Sequence, residues 1–135
     1  MYAAIAGADP GGRRTLLIVF SDGIDTASWL EPAAVIQAAR QSGTVIYAVS
    51  TVEAGQTPAV VRDVARASGG EVLNVDSGRL QTVFLDILND FRNRYLLSYT
   101  HRATPPPGWH KVDVRVKRRG AVVRTREGYF VGTGG

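Results

Sequence analysis

The sequence predicts an α/β fold: a partial, Rossmann-like doubly wound sheet of three parallel strands with helices, followed by a small three-stranded antiparallel extension. Three observations predict it. The apolar runs at 15–20, 44–49 and 71–75 are continuous rather than alternating, as in strands covered on both faces. Helical periodicity follows each of them, and that alternation builds parallel βαβ units with right-handed crossovers. From about residue 95 the hydrophobic period becomes two, the mark of antiparallel strands with one wet face.

In chain order, Tyr2-Ala3-Ala4-Ile5-Ala6 reads as the last turns of a helix stopped at Gly7. A sequence that opens inside a helix implies further structure upstream. Thr15-Leu16-Leu17-Ile18-Val19-Phe20 is the first strand, ending at Ser21-Asp22-Gly23. Ser28-Trp29-Leu30-Glu31 has the capping-box pattern, with Pro32 in the first turn, Val35, Ile36 and Ala39 at helical spacing, and Gly43 as the stop. After the second strand, Thr57-Pro58 opens a helix with Val61, Val64, Ala65 and Ser68 on one side, closed by Gly69-Gly70. A short third strand precedes the strongest helical signal: Leu80, Val83, Phe84, Ile87, Leu88 and Phe91 recur at i, i+3, i+4, i+7, i+8 and i+11. The extension is expected to hold strands at 95–101, 110–117 and 121–126, with a stiff proline loop at 104–108 and a tight turn at Arg118-Arg119-Gly120.

The chain has 135 residues, of which 44% are hydrophobic, enough for one domain with a modest core and too apolar for disorder. No apolar run approaches the ~20 residues needed to cross a bilayer, and the N-terminus lacks the pattern of a signal peptide. With no cysteine, disulfides, thiolate metal sites and thiol nucleophiles are excluded. Six basic and ten acidic side chains lie in 1–91, and ten basic against two acidic in 92–135; local balances of −4 and +8 give the overall +4. Asymmetry of this kind places a boundary near Arg94, between a unit at 1–94 and an extension at 95–135.

The candidate site is Phe20-Ser21-Asp22-Gly23-Ile24-Asp25-Thr26, where a buried strand ends. The carboxyl ends of parallel strands are where open α/β sheets bind ligands. Asp22 offers a carboxylate to a hard cation, Ser21 a hydroxyl, and Gly23 a backbone free to bend. The alternative is an Asx-type turn that caps the strand, with Asp25 or Ser28 starting the next helix.

With these residues the chain resembles the von Willebrand factor A domains. Leu16-Leu17-Ile18-Val19-Phe20-Ser21-Asp22-Gly23 with Asp25-Thr26 is similar to the family's fourth-strand segment, and Val45-Ile46-Tyr47-Ala48-Val49 and Ala67-Ser68-Gly69-Gly70-Glu71 continue the likeness. Tyr95-Leu96-Leu97-Ser98-Tyr99, His110-Lys111-Val112 and Arg126-Glu127-Gly128-Tyr129-Phe130 resemble a bacterial subgroup with a β-rich extension after the last helix. The resemblance implies a non-enzymatic protein-interaction module of the adhesion type, whose Mg²⁺ or Mn²⁺ completes its shell with an acidic side chain of a protein partner. It also implies a secreted or cell-envelope location. Of the family's three metal-binding loops only the Asp loop is matched, by Asp22; Ser21, Gly23, Asp25 and Thr26 would support it, and no Asp-x-Ser-x-Ser occurs. The first three strands of the family sheet have no counterpart either. The chain thus looks like the carboxyl-terminal half of such a domain with its extension, holding an incomplete site that binds no cation alone. The open edge of strand 15–20 is then expected to drive self-association.

A regulatory α/β domain could take a small anionic ligand in the same strand-end crevice, although no Gly-rich phosphate loop is present. Arg115, Lys117, Arg118, Arg119, Arg124 and Arg126 form a basic comb that could meet phosphates or an anionic surface, with Tyr99 and Trp109 as stacking platforms. A solvated sheet face explains the comb more simply and argues against nucleic acid. His101 and His110 could face each other across paired strands, but two imidazoles fall short of a zinc site. No Gly-x-Ser-x-Gly or His-Glu-x-x-His occurs, and Asp22 and Asp25 lack a nucleophile or lysine clamp, so the sequence argues against an enzyme.

Overall fold

The computed structural model describes residues 1–7, 15–21, 31–51, 57–98, 100 and 105–132. Its elements run α1 (Tyr2–Ala6), β1 (Thr15–Ser21), α2 (Pro32–Gln41), β2 (Thr44–Ser50), α3 (Ala59–Ala67), β3 (Val72–Asn74), a 3₁₀ turn (Ser77–Arg79), α4 (Leu80–Arg92), β4 (Gly108–Lys111) and β5 (Gly128–Val131). The first three strands form a parallel sheet in the order β1-β2-β3 and the last two an antiparallel pair. The α/β class is therefore as the sequence predicts.

Strand parity divides the core in two. Ile46 of β2 packs with Ile5, Val35, Ala39 and Val64 of α1, α2 and α3, and Leu17 and Val19 of β1 join that side. Tyr47 and Val49 pack with Val83 and Ile87 of α4, joined by Leu16, Ile18 and Leu73. α2 and α3 thus lie on one face of the sheet, and α4 covers the other. β2 is nearly all buried, whereas β1, at the edge, is only partly covered.

The glycine pair after α3 has two separate duties. Gly69 N–H donates to Arg66 O (3.0 Å) and Gly70 N–H to Ala65 O (2.9 Å), the Schellman arrangement, and Gly69 takes the left-handed φ of 81° that it requires. A Cβ on Gly70 would overlap the Ile46 carbonyl, so the second glycine serves a close backbone approach. Beside it the Ser68 hydroxyl accepts the Ile46 N–H at 2.9 Å and donates to Ala65 O at 2.8 Å. A side chain thus supplies the acceptor that the short β3 does not reach far enough to offer.

Several expectations are corrected. Glu31 stands at the N-cap of α2 in extended geometry and makes no side-chain cap bond, with Pro32 as the first helical residue. The fixed φ of proline starts this helix in place of a capping box whose Ser28 lies outside the described residues. The stripe on α4 is narrower than its spacing implied: Val83 and Ile87 are buried, while Phe84 remains 39% exposed. Among the described residues the extension has two strands, not three. Residues 95–98 form no regular element and carry Tyr95, Leu96 and Leu97 almost fully in solvent. Residues 112–117 and 121–126 are irregular as well, and pairing falls instead on β4 with β5. For 121–126 the physical reason lies in Arg124 and Arg126, whose side chains reach into the α/β unit, to Glu71 and Asp90 and to the carbonyls of Arg40 and Ser42. The tight turn is as read, with Ala121 N–H donating to Arg118 O at 3.2 Å.

Candidate functional site

At the carboxyl end of the parallel sheet the register aligns Ser21, Ser50 and Asn74, one from each strand, in a polar row. By strand parity the row faces the α2 and α3 side. Thr57, buried just before α3, donates its hydroxyl to Asn74 Oδ1 at 3.1 Å. The Arg62 guanidinium holds the Thr57 carbonyl from within α3. Ser50 is fully buried, and its hydroxyl has no hydrogen-bond partner among the described residues. A buried hydroxyl left unpaired costs about 1–3 kcal/mol, so its presence in the row calls for an explanation.

Asp22, Gly23, Asp25 and Thr26 lie outside the described residues; of the predicted site only Ser21 is placed. The donors around the row are neutral oxygens, a set suited to hard cations but weak without carboxylates. Among the described residues no three His, Asp or Glu side chains come together as a metal group.

The basic comb is broken up by the fold. Arg126 is half-buried and donates to the carbonyls of Arg40 (2.7 Å) and Ser42 (3.1 Å), which close α2; burial lowers its pKa from the ordinary arginine value. Arg124 pairs with Glu71, and with Asp90 Oδ1 at 3.5 Å; the hydrogen bond to Glu71 raises its pKa. Arg115 pairs with Asp113 at 2.8 Å in solvent. Lys117, Arg118 and Arg119 are exposed at the turn and make no ion pair among the described residues. The six residues therefore do not act as one patch.

Two clusters escaped the sequence reading. In the first, the Tyr47 hydroxyl donates to Asp90 and accepts from Arg94 Nη2 at 2.7 Å, while the Arg94 guanidinium lies 5.4 Å from the Tyr47 ring centroid. Burial, aided by the hydrogen bond to Asp90, pushes the Tyr47 phenol up to about 12. Burial would raise Asp90, yet the bond from Tyr47 and the charges of Arg94 and Arg124 outweigh it and lower its pKa. In the second, Glu127 bridges Arg40 (3.2 Å) and Arg66 (3.2 Å), and Arg40 lies over the Trp109 ring at 5.2 Å. Only Asp90 and Arg94, at i and i+4, left any trace in the sequence. An open cleft of about 350 Å³ lies beside this second cluster, lined by Trp109, Lys111, Val112, Thr125, Arg126 and Glu127.

The aromatic and histidine expectations fare similarly. Trp109 is engaged by Arg40, and Tyr99 and His101 lie outside the described residues. His110 stacks on its cross-strand neighbour Tyr129, with centroids 5.3 Å apart, and its Nε2 lies 2.7 Å from Pro106 O.

No family model matches the chain. No curated protein matches it either. Among solved structures it is similar to an uncharacterized membrane spanning protein from Vibrio fischeri, at 21% identity and a TM-score of 0.46, over 57% of this chain and 47% of that one. The chain thus spans about half the length of that protein. The secreted or envelope location implied by the resemblance is not carried forward; the solved protein is described as membrane spanning. No described helix of the present chain is long and apolar enough to cross a membrane.

Proposed function

We propose that the chain is a non-enzymatic protein-interaction module of the von Willebrand factor A type, whose recognition site is the carboxyl end of its three parallel strands. The observation that carries this reading is the aligned row of Ser21, Ser50 and Asn74, in which the fully buried Ser50 hydroxyl has no hydrogen-bond partner among the described residues. Asp22 directly follows that row in the sequence. In this reading Asp22 is the only charged ligand, a divalent cation is held weakly through it, and the acidic side chain of a protein partner completes the shell. The open edge of β1 is a second proposed contact, through which the chain self-associates.

The test is an amide-resolved NMR titration of the 135-residue chain with Mn²⁺ and then with a Glu-rich peptide, in wild type and Asp22→Ala. Broadening and shifts are expected at Ser21, Ser50, Thr51 and Asn74, and are lost in Asp22→Ala. Weak occupancy should move the thermal midpoint by no more than about 2 °C at a cation concentration equal to its Kd. Perturbations centred on Lys111, Lys117, Arg118 and Arg119 would instead favour anionic-surface binding. That second reading rests on the three exposed cations of the turn.

A further inference from the structure

Among the described residues, the outer edge of β1 shows none of the features that protect sheet edges. Its seven residues carry no charge, proline or bulge, and all seven register with β2 without interruption. Among the described residues no strand pairs with its other side. The direction of its backbone groups follows from one hydrogen bond. Thr51 N–H donates to Ser21 O, so the odd residues of β1 turn their peptide groups toward β2. Leu16, Ile18 and Phe20 therefore turn theirs outward.

The sequence of this edge is close to a chemical palindrome. Reversed against itself about Ile18, Thr15 meets Ser21, Leu16 meets Phe20, Leu17 meets Val19 and Ile18 meets Ile18. Each pair matches hydroxyl with hydroxyl or apolar with apolar, and the pleat keeps each side chain on its own face. Phe20, which stands 53% exposed, would lie opposite Leu16 of the second copy. An isologous two-fold contact demands this kind of self-complementarity.

We propose that two copies pair antiparallel through β1 with Ile18 on the two-fold axis, giving a continuous six-stranded sheet. This rests on the self-association reading above and fixes its partner, symmetry and register. Because the outward groups are those of Leu16, Ile18 and Phe20, the pairing makes about six hydrogen bonds, two per facing residue pair. The contact is small, so the dimer is reversible and depends on concentration.

The natural sequence lacks cysteine, which makes cross-linking a clean probe of register. Sedimentation equilibrium of the full chain in EDTA, over roughly 1–500 μM, is expected to show a monomer–dimer equilibrium suited to a weak interface. Ile18→Cys should oxidise to a disulfide dimer, since facing hydrogen-bonded residues stand about 5.5 Å apart. Leu16→Cys should not, because the two copies would be separated by about 14 Å along the strands. Phe20→Pro removes an outward N–H and leaves pairing to β2 intact, so it should give a folded monomer by circular dichroism. A dimer that cross-links equally well through Leu16→Cys overturns the two-fold register but leaves edge association standing. A monomer at every concentration overturns both.

Discussion

The Tyr47 phenol shows how one buried group can tie stability to pH. It is 1% exposed, donates to Asp90 and accepts from Arg94. Burial first, and then the bond to Asp90, hold its pKa at about 12 against an ordinary 10.0. Its contribution is therefore complete below about pH 10 and is lost as pH rises toward 12. Denaturant unfolding between pH 8 and 12 should show that alkaline loss in wild type and not in Tyr47→Phe. Parallel curves would refute it. At neutral pH the same variant should cost about 0.5–1.5 kcal/mol, the worth of a typical hydrogen bond. Asp90 acts at the other limb: its lowered pKa contributes stability that is lost as pH falls through its folded value. Gly69 gives a second residue-level expectation. At φ 81° its Cβ would stand 2.8 Å from Arg126 N and 2.9 Å from Thr125 C, so Gly69→Ala should lose at least about 1 kcal/mol in chemical denaturation. A neutral change would mean that the 125–126 backbone yields freely. The stop at Gly69-Gly70 was legible from the sequence. What presses against it, a segment more than fifty residues downstream, was not.

At the level of elements, the parallel half of the fold was legible because its evidence is local. Continuous apolar runs, a Pro at the start of α2 and of α3 and a glycine pair at one helix end all lie within a few residues of what they specify. The extension was less legible, since alternation at 112–117 announces a surface with one wet side but names no partner for it. Val112 N–H does find Glu127 O at 2.9 Å, and beyond it β5 continues the pairing through only four residues. Arg124 and Arg126 read as teeth of a solvated comb because nothing in their spacing reveals carbonyls or carboxylates brought in from the end of α2, from Glu71 just before β3 and from α4. At the candidate site only strand-end location was legible; Ser50 and Asn74 join Ser21 by register, which no local pattern encodes. The two guanidinium contacts at the end of α2 predict a specific loss. Arg126→Met keeps much of the side-chain bulk but leaves the Arg40 and Ser42 carbonyls without this donor, and should cost about 1–3 kcal/mol. Hydrogen exchange should show the loss concentrated in the last turn of α2; an effect spread evenly over the sheet would contradict the assignment.

For the whole molecule, the join between the α/β unit and its extension is ionic rather than apolar. Glu127 bridges Arg40 and Arg66, Arg124 reaches Glu71 and Asp90, and Arg126 seats in carbonyls. The covalent link across that join is very open: Tyr95, Leu96 and Leu97 are 93%, 77% and 75% exposed. Brief chymotrypsin treatment should therefore cut at these residues first, and the two fragments should co-elute at low salt. In an Arg124→Ala/Arg126→Ala variant they should separate, and raising the salt should promote separation in wild type through screening. Fragments that part at once in wild type would show that the ion pairs do not hold the extension. The order in which the chain is synthesised adds a further consequence. Glu71 emerges from the ribosome well before Arg124, so the nascent α/β unit waits with this carboxylate lacking its arginine until the last stretch of the chain arrives. A message truncated between the codons for Arg119 and Arg124 would release a protein with every parallel strand intact and its fastening missing, a natural substrate for quality control.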